Sequence, residues 1–182
     1  MIRQHLSLAA LAVAACALAA CASSRSLDDS VSDLATNAEL KGVLFTDRSF
    51  DYSDVDITLF EGRLMLTGTM RSEDGRRKLV ENAWRADGVD QVIDEIFVGD
   101  KTGFGQGVAD ARIDQTLRAK LLTDGDVTSG RYKIAVSSGI VYLLGAARSN
   151  AELSEAIERA RTTGGVNKVV SHVVVRELNA AR

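Results

Sequence analysis

The chain carries one residue pattern twice, at a constant offset of 77 residues. The glycines in register are Gly62 with Gly139, Gly68 with Gly145, and Gly88 with Gly165. The apolar residues in register include Leu40 with Leu117, Leu44 with Leu121, Leu66 with Leu143, and Val98 with Val175. Three glycines and a matched apolar pattern without a gap are not a chance coincidence. The sequence therefore predicts two copies of one small unit, and any fold assignment has to respect that repeat.

Each copy begins with the pattern of one helix and two strands. Ile113, Leu117 and Leu121 follow each other at four-residue spacing, which predicts a first helix with Asp110 as its candidate N-cap. Leu40 and Leu44 are the counterparts in the first copy. Alternating apolar residues then predict a strand, starting at Val55 in the first copy and at Tyr132 in the second. The pairs Glu61-Gly62 and Ser138-Gly139 predict the hairpin turns, and the return strands are expected to stop near Gly68 and Gly145.

A second helix and a third strand complete each copy. The helices are predicted over residues 73–86 and 150–163, with Ser72 and Ser149 as N-caps. Only the second copy has the full capping-box spacing, through Glu152. Gly88 and Gly165 are expected at the C′ positions of these helices. The order α-β-β-α-β predicts an α+β fold, with two helices on one face of a three-stranded mixed sheet in each copy.

A unit of about 70 residues has a thin core for independent stability. Packing of one copy on the other, or of the long first helix across the hairpin, is expected to add to it.

The amino-terminal residues have the layout of an export signal. Arg3 precedes an alanine-rich apolar run from Leu6 to Ala20 that contains no acidic residue. Residues 1–20 are therefore predicted to be a secretory signal peptide. The run ends in Leu18-Ala19-Ala20-Cys21, which resembles the lipobox of bacterial lipoprotein precursors. Lipidation of Cys21 follows from that resemblance, with palmitate among the acyl chains and cleavage just before the cysteine.

Two other interpretations of the amino terminus stay open. Val13-Ala14-Ala15-Cys16 is a poorer second match to the lipobox, and an ordinary signal peptide with an incidental cysteine is the alternative to both. Ala22 follows Cys21 where inner-membrane lipoproteins carry Asp, so the resemblance implies sorting to the outer membrane, facing the periplasm of a Gram-negative cell. The expected organisation is then a tether over 21–30, one copy over 31–99, a Gly-rich linker over 100–107 and the second copy over 108–178.

The repeated glycines resemble the hallmark of the BON domain (bacterial OsmY and nodulation). In that family a glycine lies between the first two strands, another follows them, and a Gly-Val pair precedes the last strand. The matching residues are Gly62, Gly68 and Gly88-Val89, then Gly139, Gly145 and Gly165-Val166. A lipobox followed by two such copies is similar to the dual-BON outer-membrane lipoproteins, as is the stretch 103–123. The resemblance implies a non-enzymatic protein whose second copy binds anionic phospholipid and which supports envelope integrity.

The two copies differ in charge. Residues 28–99 carry sixteen Asp and Glu against eight Lys and Arg, whereas residues 100–182 carry nine against twelve. Anionic lipid would attract the second copy and repel the first. The residues expected to contact lipid are Phe104 and Gly105 at the linker and five residues on the outward face of the first helix of the second copy: Arg112, Gln115, Thr116, Ala119 and Lys120. The alternative is that Phe104 packs between the copies and the charges are solvated.

Other chemistries find little support in the sequence. The segment Gly103-Phe104-Gly105-Gln106-Gly107 lacks the last glycine of a dinucleotide-binding loop, because residue 108 is Val. His172 is the only histidine after the signal, so no His-Cys metal cluster and no nucleophile-base pair is evident. We expect no enzyme activity, cofactor, small-molecule substrate or nucleic-acid partner. An alternative function is that of a periplasmic adaptor, whose acidic first copy docks an envelope assembly machine or division-site proteins.

Overall fold

The computed structural model describes residues 40–100 and 103–176. The predicted signal peptide, Cys21 and the tether 21–30 lie outside the described residues, and so does the side chain of Phe104.

The described chain forms two α/β units of the same topology, which confirms the predicted α+β class. In the first copy, residues 40–44 are helical. They are followed by β1 (Val55–Phe60), β2 (Arg63–Met70), α1 (Glu73–Trp84) and β3 (Gln91–Val98). The second copy consists of α2 (Phe104–Thr123), a short 3-10 turn (Ser129–Arg131), β4 (Tyr132–Ser137), β5 (Ile140–Ala147), α3 (Asn150–Arg161) and β6 (Lys168–Val175).

Each copy has one three-stranded mixed sheet whose second strand is central. β2 pairs antiparallel with β1 and parallel with β3, and β5 does the same with β4 and β6. The register repeats at the offset seen in the sequence, since Val55 pairs with Gly68 and Tyr132 pairs with Gly145. The hairpin turns also repeat, with Glu61 and Ser138 at φ 47° and 53°, each followed by a glycine of positive φ. The predicted hairpin turns are confirmed, and two successive residues of positive φ are typical of a type I′ turn.

The sequence predicts that the return strands end near Gly68 and Gly145, and in the structure they continue two residues past these glycines, to Met70 and Ala147. Both glycines lie inside the strand, at φ 116° and 155°. A Cβ atom at Gly68 would lie 1.9 Å from the carbonyl oxygen of Asp54, and one at Gly145 would lie 2.1 Å from that of Arg131. These glycines are therefore required by the close approach of the neighbouring backbone rather than by the end of the strand.

The second helices end two residues earlier than the sequence predicts, at Trp84 and Arg161. Gly88 and Gly165 are consequently not at C′. Each is the third residue of a tight turn, closed in the first copy by the bond from Val89 N–H to the carbonyl of Ala86 and in the second by the bond from Val166 N–H to that of Thr163. A separate β-turn lies between the end of each helix and its glycine. The sequence prediction did not include this turn, so it placed the glycines directly after the helices.

The predicted N-caps of these helices are confirmed. The hydroxyls of Ser72 and Ser149 accept hydrogen bonds from the backbone N–H groups of Gly75 and Glu152, both at 3.1 Å. The carboxylate of Glu152 departs from an ordinary capping box, since it accepts from the N–H of Arg148, one residue before the cap, at 2.7 Å. It also accepts from the N–H of Thr128 at 2.9 Å, so it ties the segment before β4 to the start of α3.

The first helix of the second copy begins earlier than expected. Gly103 is its N-cap, so residues 104–107 of the predicted linker are helical and Asp110 is not the cap. Asp110 lies inside the helix, 8% exposed, and its carboxylate accepts from the N–H groups of Ser138 at 2.8 Å and Gly139 at 2.9 Å. The carboxylate oxygens of Asp110 therefore bind the hairpin turn between β4 and β5 and do not cap the helix. Gly105 and Gly107 are unfavourable in a helix, but the upstream turn is supported by an i, i+4 hydrogen bond in which Nε2 of Gln106 donates to Oδ1 of Asp110 at 2.8 Å.

The described chain has three apolar clusters. Two of them lie between the helices and the sheet of one copy, around Leu44, Leu64 and Leu79 in the first and around Leu117, Leu143 and Ala156 in the second. The third lies between the two sheets and contains Met65 and Ile93 from the first copy with Ala135, Tyr142 and Leu144 from the second. Each sheet therefore buries both faces, one against its helices and one against the other sheet. The expected packing of one copy on the other is confirmed.

Candidate functional site

The outward face of α2 is the candidate contact surface. Ile113, Leu117 and Leu121 are at most 3% exposed and hold the helix against its sheet. The opposite side carries four of the predicted contact residues, and all four are exposed: Arg112, Gln115, Thr116 and Ala119. Gly105, in the first turn, is exposed as well. The outward orientation that the spacing predicts is therefore confirmed for Arg112, Gln115, Thr116 and Ala119.

Lys120 is placed differently from the prediction. It is half-buried, and its Nζ donates to the carbonyl of Thr162 at 2.9 Å and to Oγ1 of Thr163 at 3.1 Å. These acceptors lie at the end of α3, where a cation interacts favourably with the last carbonyl groups of the helix. The ammonium of Lys120 thus fastens α2 to α3 and is not simply an outward charge, as the sequence analysis expected. The spacing rule fails here because a long side chain at the edge of a face reaches sideways.

Two exposed apolar residues on the same face were missed by the sequence analysis. Val108 is 57% exposed and Leu122 is 69% exposed. Together with Arg112, Gln115 and Ala119 they follow a spacing of four, three, four and three residues, which is one stripe of an α-helix. That spacing was visible in the sequence, but only the polar and small residues of the stripe were assigned to it. The stripe, defined here as Val108, Arg112, Gln115, Ala119 and Leu122, combines a cation with apolar ends.

Polar contacts hold α2 in a fixed orientation on its copy. Arg118 donates through Nε to Asp114 at 2.8 Å and through Nη2 to the carbonyl of Ile134 in β4 at 2.9 Å. After the helix, Asp124 accepts from Nε of Arg159 in α3 at 2.6 Å. The backbone N–H of Asp126, followed by the Arg159 guanidinium, holds the pKa of Asp124 below its ordinary value. Together with Asp110, which binds the turn at Ser138 nearer the start of the helix, these contacts present the stripe of α2 as a preformed surface.

The stretch 103–107 has the geometry of a helix start. Gly103 is the N-cap without a side-chain cap, and Phe104 is the first helical residue. A dinucleotide-binding loop would place its glycines before the helix, so this arrangement gives no support for that interpretation.

A second polar cluster surrounds the start of α3. A surface depression there is lined by Asp126, Arg148, Ser149, Ala151, Glu152 and Glu155. Burial would raise the pKa of Glu152, but the N–H groups of Thr128 and Arg148 and the Arg148 guanidinium outweigh it, and the pKa lies below its ordinary value. Burial raises the pKa of the nearby Tyr132 to about 12. Every polar partner named for Glu152 is structural, so we assign this cluster to folding.

The described residues contain neither a metal-binding cluster nor a helix suited to spanning a membrane. Residues 40–100 and 103–176 contain no group of three or more His, Cys, Asp or Glu arranged to hold a metal ion. Among the helices of the same residues, none has the length and apolar character that a membrane span requires.

Comparison with known proteins identifies the family. The BON domain matches residues 32–100 and again residues 109–177. Together these matches cover most of the chain; the first contains the described part of the first copy, and the second covers the second copy from within α2 onward. The chain belongs to the BON-domain family and is a tandem BON protein.

Three relatives illustrate the range of proteins to which the chain is similar. An uncharacterized protein of Anaplasma centrale is 32% identical over 72% of this chain and 87% of its own length. Osmotically-inducible protein Y of Escherichia coli is 28% identical over 81% of this chain and 74% of its own length. The outer membrane lipoprotein DolP of Haemophilus influenzae is 28% identical over 64% of this chain, which spans only 60% of that relative.

Proposed function

We propose that this protein is a non-enzymatic, lipid-anchored envelope protein that contacts anionic phospholipid through the outward face of α2 and supports envelope integrity. The observation that carries the proposal is the stripe of α2, where Arg112 lies between the exposed apolar residues Val108 and Leu122. A cation flanked by apolar side chains matches the border between headgroups and acyl chains, because each group meets its preferred surroundings there. The similarity to an outer membrane lipoprotein supports the envelope location.

The proposed anchor is the thiol of Cys21. Several acyl chains on one residue would give a permanent attachment, at about 0.8 kcal/mol for each buried CH₂. The stripe then has the role of orienting an already tethered protein, so a weak contact suffices. For the anchor, Cys21→Ser is expected to leave an unprocessed precursor that incorporates no labelled palmitate, and incorporation would show that Cys16 is the acceptor.

Binding of the soluble fragment 22–182 to vesicles tests the stripe separately from the anchor. We expect the fragment to sediment with phosphatidylglycerol or cardiolipin vesicles at low salt and to dissociate as salt rises. Arg112→Glu reverses one charge at the surface and is expected to weaken binding about tenfold or more. Leu122→Glu tests the apolar end of the stripe. The matched control is Arg77→Glu in α1, an exposed arginine of the first copy.

The same experiment addresses the adaptor alternative. Segment 28–99, with twice as many acidic as basic residues, favours a protein partner for the first copy. If the fragment fails to bind anionic vesicles at low salt, the stripe is not a lipid contact. The membrane role would then be limited to the anchor, and the protein would act through a partner of the acidic copy.

A further inference from the structure

The junction between the two sheets is held by polar contacts as well as by its apolar cluster. Nε2 of His172 lies 2.8 Å from Oε1 of Glu95. Nη2 of Arg63 donates to the carbonyl of His172 at 2.7 Å. Nη1 of Arg176 lies 2.5 Å from Oε2 of Glu61. Each of these three contacts joins a side chain of the first copy to a residue of the second copy.

The contacts run in one direction, from the first copy to the second. When two identical units pack about a twofold axis, each contact occurs twice with the roles exchanged. At the offset of 77 residues the counterparts are Ile140 for Arg63, Ser138 for Glu61 and Gly99 for Arg176. These counterparts carry neither a guanidinium nor a carboxylate. The two contacts made by Arg63 and Arg176 are therefore not returned in the opposite sense.

Glu95 and His172 hold equivalent positions, so a pair of like copies would bring each residue against its own kind. Two first copies would place one carboxylate against another, and carboxylates are acceptors of the same charge. They would also lose Arg176 as the partner of Glu61. Two second copies would place imidazole against imidazole and would have no counterpart of Arg63. Only a first copy paired with a second copy makes all three contacts.

The strand register extends this difference across each sheet. Each contact residue belongs to one cross-strand row, which is Asp56, Thr67 and Glu95 in the first copy and Lys133, Leu144 and His172 in the second. Residues paired across neighbouring strands lie on the same face of a sheet. Here it is the face toward the other copy, because Glu95 and His172 meet across it. The row is thus acidic at both ends in the first copy and carries lysine and histidine at the same two positions in the second.

We propose that this face is a recognition surface that selects one kind of partner, a BON sheet with the opposite charge pattern. The first copy accepts the second copy and rejects another first copy. Opposed charges favour the correct partner, and like charges act against the wrong one. The pair therefore closes within the chain, and like copies of two chains do not join through this face. The proposal concerns the junction between the sheets and depends neither on lipid binding nor on the anchor.

Exchange of the two contact residues in the soluble fragment 22–182 tests the proposal. His172→Glu reproduces the contact of two first copies, and Glu95→His reproduces that of two second copies. The double variant Glu95→His/His172→Glu restores the pair in the opposite sense. In urea at neutral pH we expect His172→Glu to raise the equilibrium constant of unfolding about tenfold and the double variant to return to within about threefold of the parent.

His172→Gln is the matched control, because it removes the ring without bringing a second carboxylate to the junction. Rejection of like by like requires that His172→Glu cost more than His172→Gln. Equal losses in these two variants would overturn the proposal. A double variant that loses as much as the two single variants together would overturn it as well, because effects that do not depend on each other add.

The contact between Glu61 and Arg176 provides an independent exchange. Both side chains are about half exposed, at 48% and 55%, so variants at these positions are expected to fold. Glu61→Arg and Arg176→Glu each bring like charges together, and each is expected to raise the unfolding constant about two- to fivefold. The combined variant should recover most of that loss. A combined variant no more stable than the weaker single variant would contradict the proposal.

Discussion

Nε2 of His172 lies 2.8 Å from Oε1 of Glu95, and the two residues hold the same position in their respective copies, 77 residues apart. The apolar cluster between the two sheets also contains equivalent residues from both copies, Met65 and Tyr142 as well as Ile93 and Val170. Equivalent residues meet in this way when two units pack about an approximate twofold axis. The two BON units are thus joined as a pseudo-symmetric pair, sheet against sheet.

Arg63 breaks this symmetry and is expected to fasten the two copies together. Its Nη2 donates to the carbonyl of His172 at 2.7 Å and its Nη1 to that of Gly145 at 3.4 Å, whereas the equivalent residue in the second copy is Ile140. Partial burial lowers the pKa of Arg63. Arg63→Ala is expected to lower the free energy of unfolding by roughly 1.5–3 kcal/mol, because carbonyl groups lose a charged donor.

Urea unfolding measures this loss. The control is Arg77→Ala, whose exposed pair with Asp74 is expected to be worth under about 1 kcal/mol. If Arg63→Ala costs no more than Arg77→Ala, Arg63 does not fasten the copies.

The strand glycines should be intolerant of any side chain. Gly145→Ala would bring Cβ against the carbonyl oxygen of Arg131, so we expect a loss of about 3 kcal/mol or more in the free energy of unfolding. Gly125→Ala is the control, because a Cβ there meets no atom within 4 Å. Thermal unfolding followed by circular dichroism compares the two variants. Equal melting temperatures would mean that the strand relaxes around the new methyl group.

Glu152 predicts a pH dependence of stability whose sign is fixed by its lowered pKa. The folded state favours the carboxylate, so its contribution is complete above the ordinary value of 4.5 and is lost as the pH falls through the lower folded value. Glu152→Gln is expected to cost roughly 1–2 kcal/mol at neutral pH, because the N–H groups of Thr128 and Arg148 lose a charged acceptor.

The measurement is urea unfolding of both proteins between neutral pH and a pH of about 3. The difference between parent and variant should shrink as the solution becomes acidic. A difference that stays constant over this range would show that the charge of Glu152 does not contribute.

Much of the fold follows from local patterns that the repeat allows one to verify twice. The hairpin turns at Glu61 and Ser138 and the helix caps at Ser72 and Ser149 depend on neighbouring residues alone, and the structure has them as predicted. The sequence predicted the ends of helices and strands less accurately. The end of β5 depends on how closely Gly145 approaches Arg131, a contact between strands that no local window contains.

The candidate site was only partly predictable, because the sequence does not show how far a long side chain reaches or which residues it meets in the tertiary structure. Periodicity placed Arg112 and Ala119 outward, but it could not show that the ammonium of Lys120 turns toward Thr162. Asp110 has the residue type of an N-cap, and only the tertiary structure shows its carboxylate bound to the turn at Gly139. Leu122 was overlooked because an apolar residue next to a buried Leu121 is ordinarily assigned to the core.

The most direct measurement of the central claim is the map of lipid-induced chemical-shift changes on the soluble fragment. Vesicle mimics containing phosphatidylglycerol are titrated into the isotope-labelled protein, and the backbone amides report which residues meet lipid. We predict the largest changes along α2, at Val108, Arg112, Gln115, Ala119 and Leu122, with the amides of the buried sheet unchanged. Changes confined to the first copy, or none on α2 at low salt, would contradict the proposal that the second BON domain contacts anionic phospholipid.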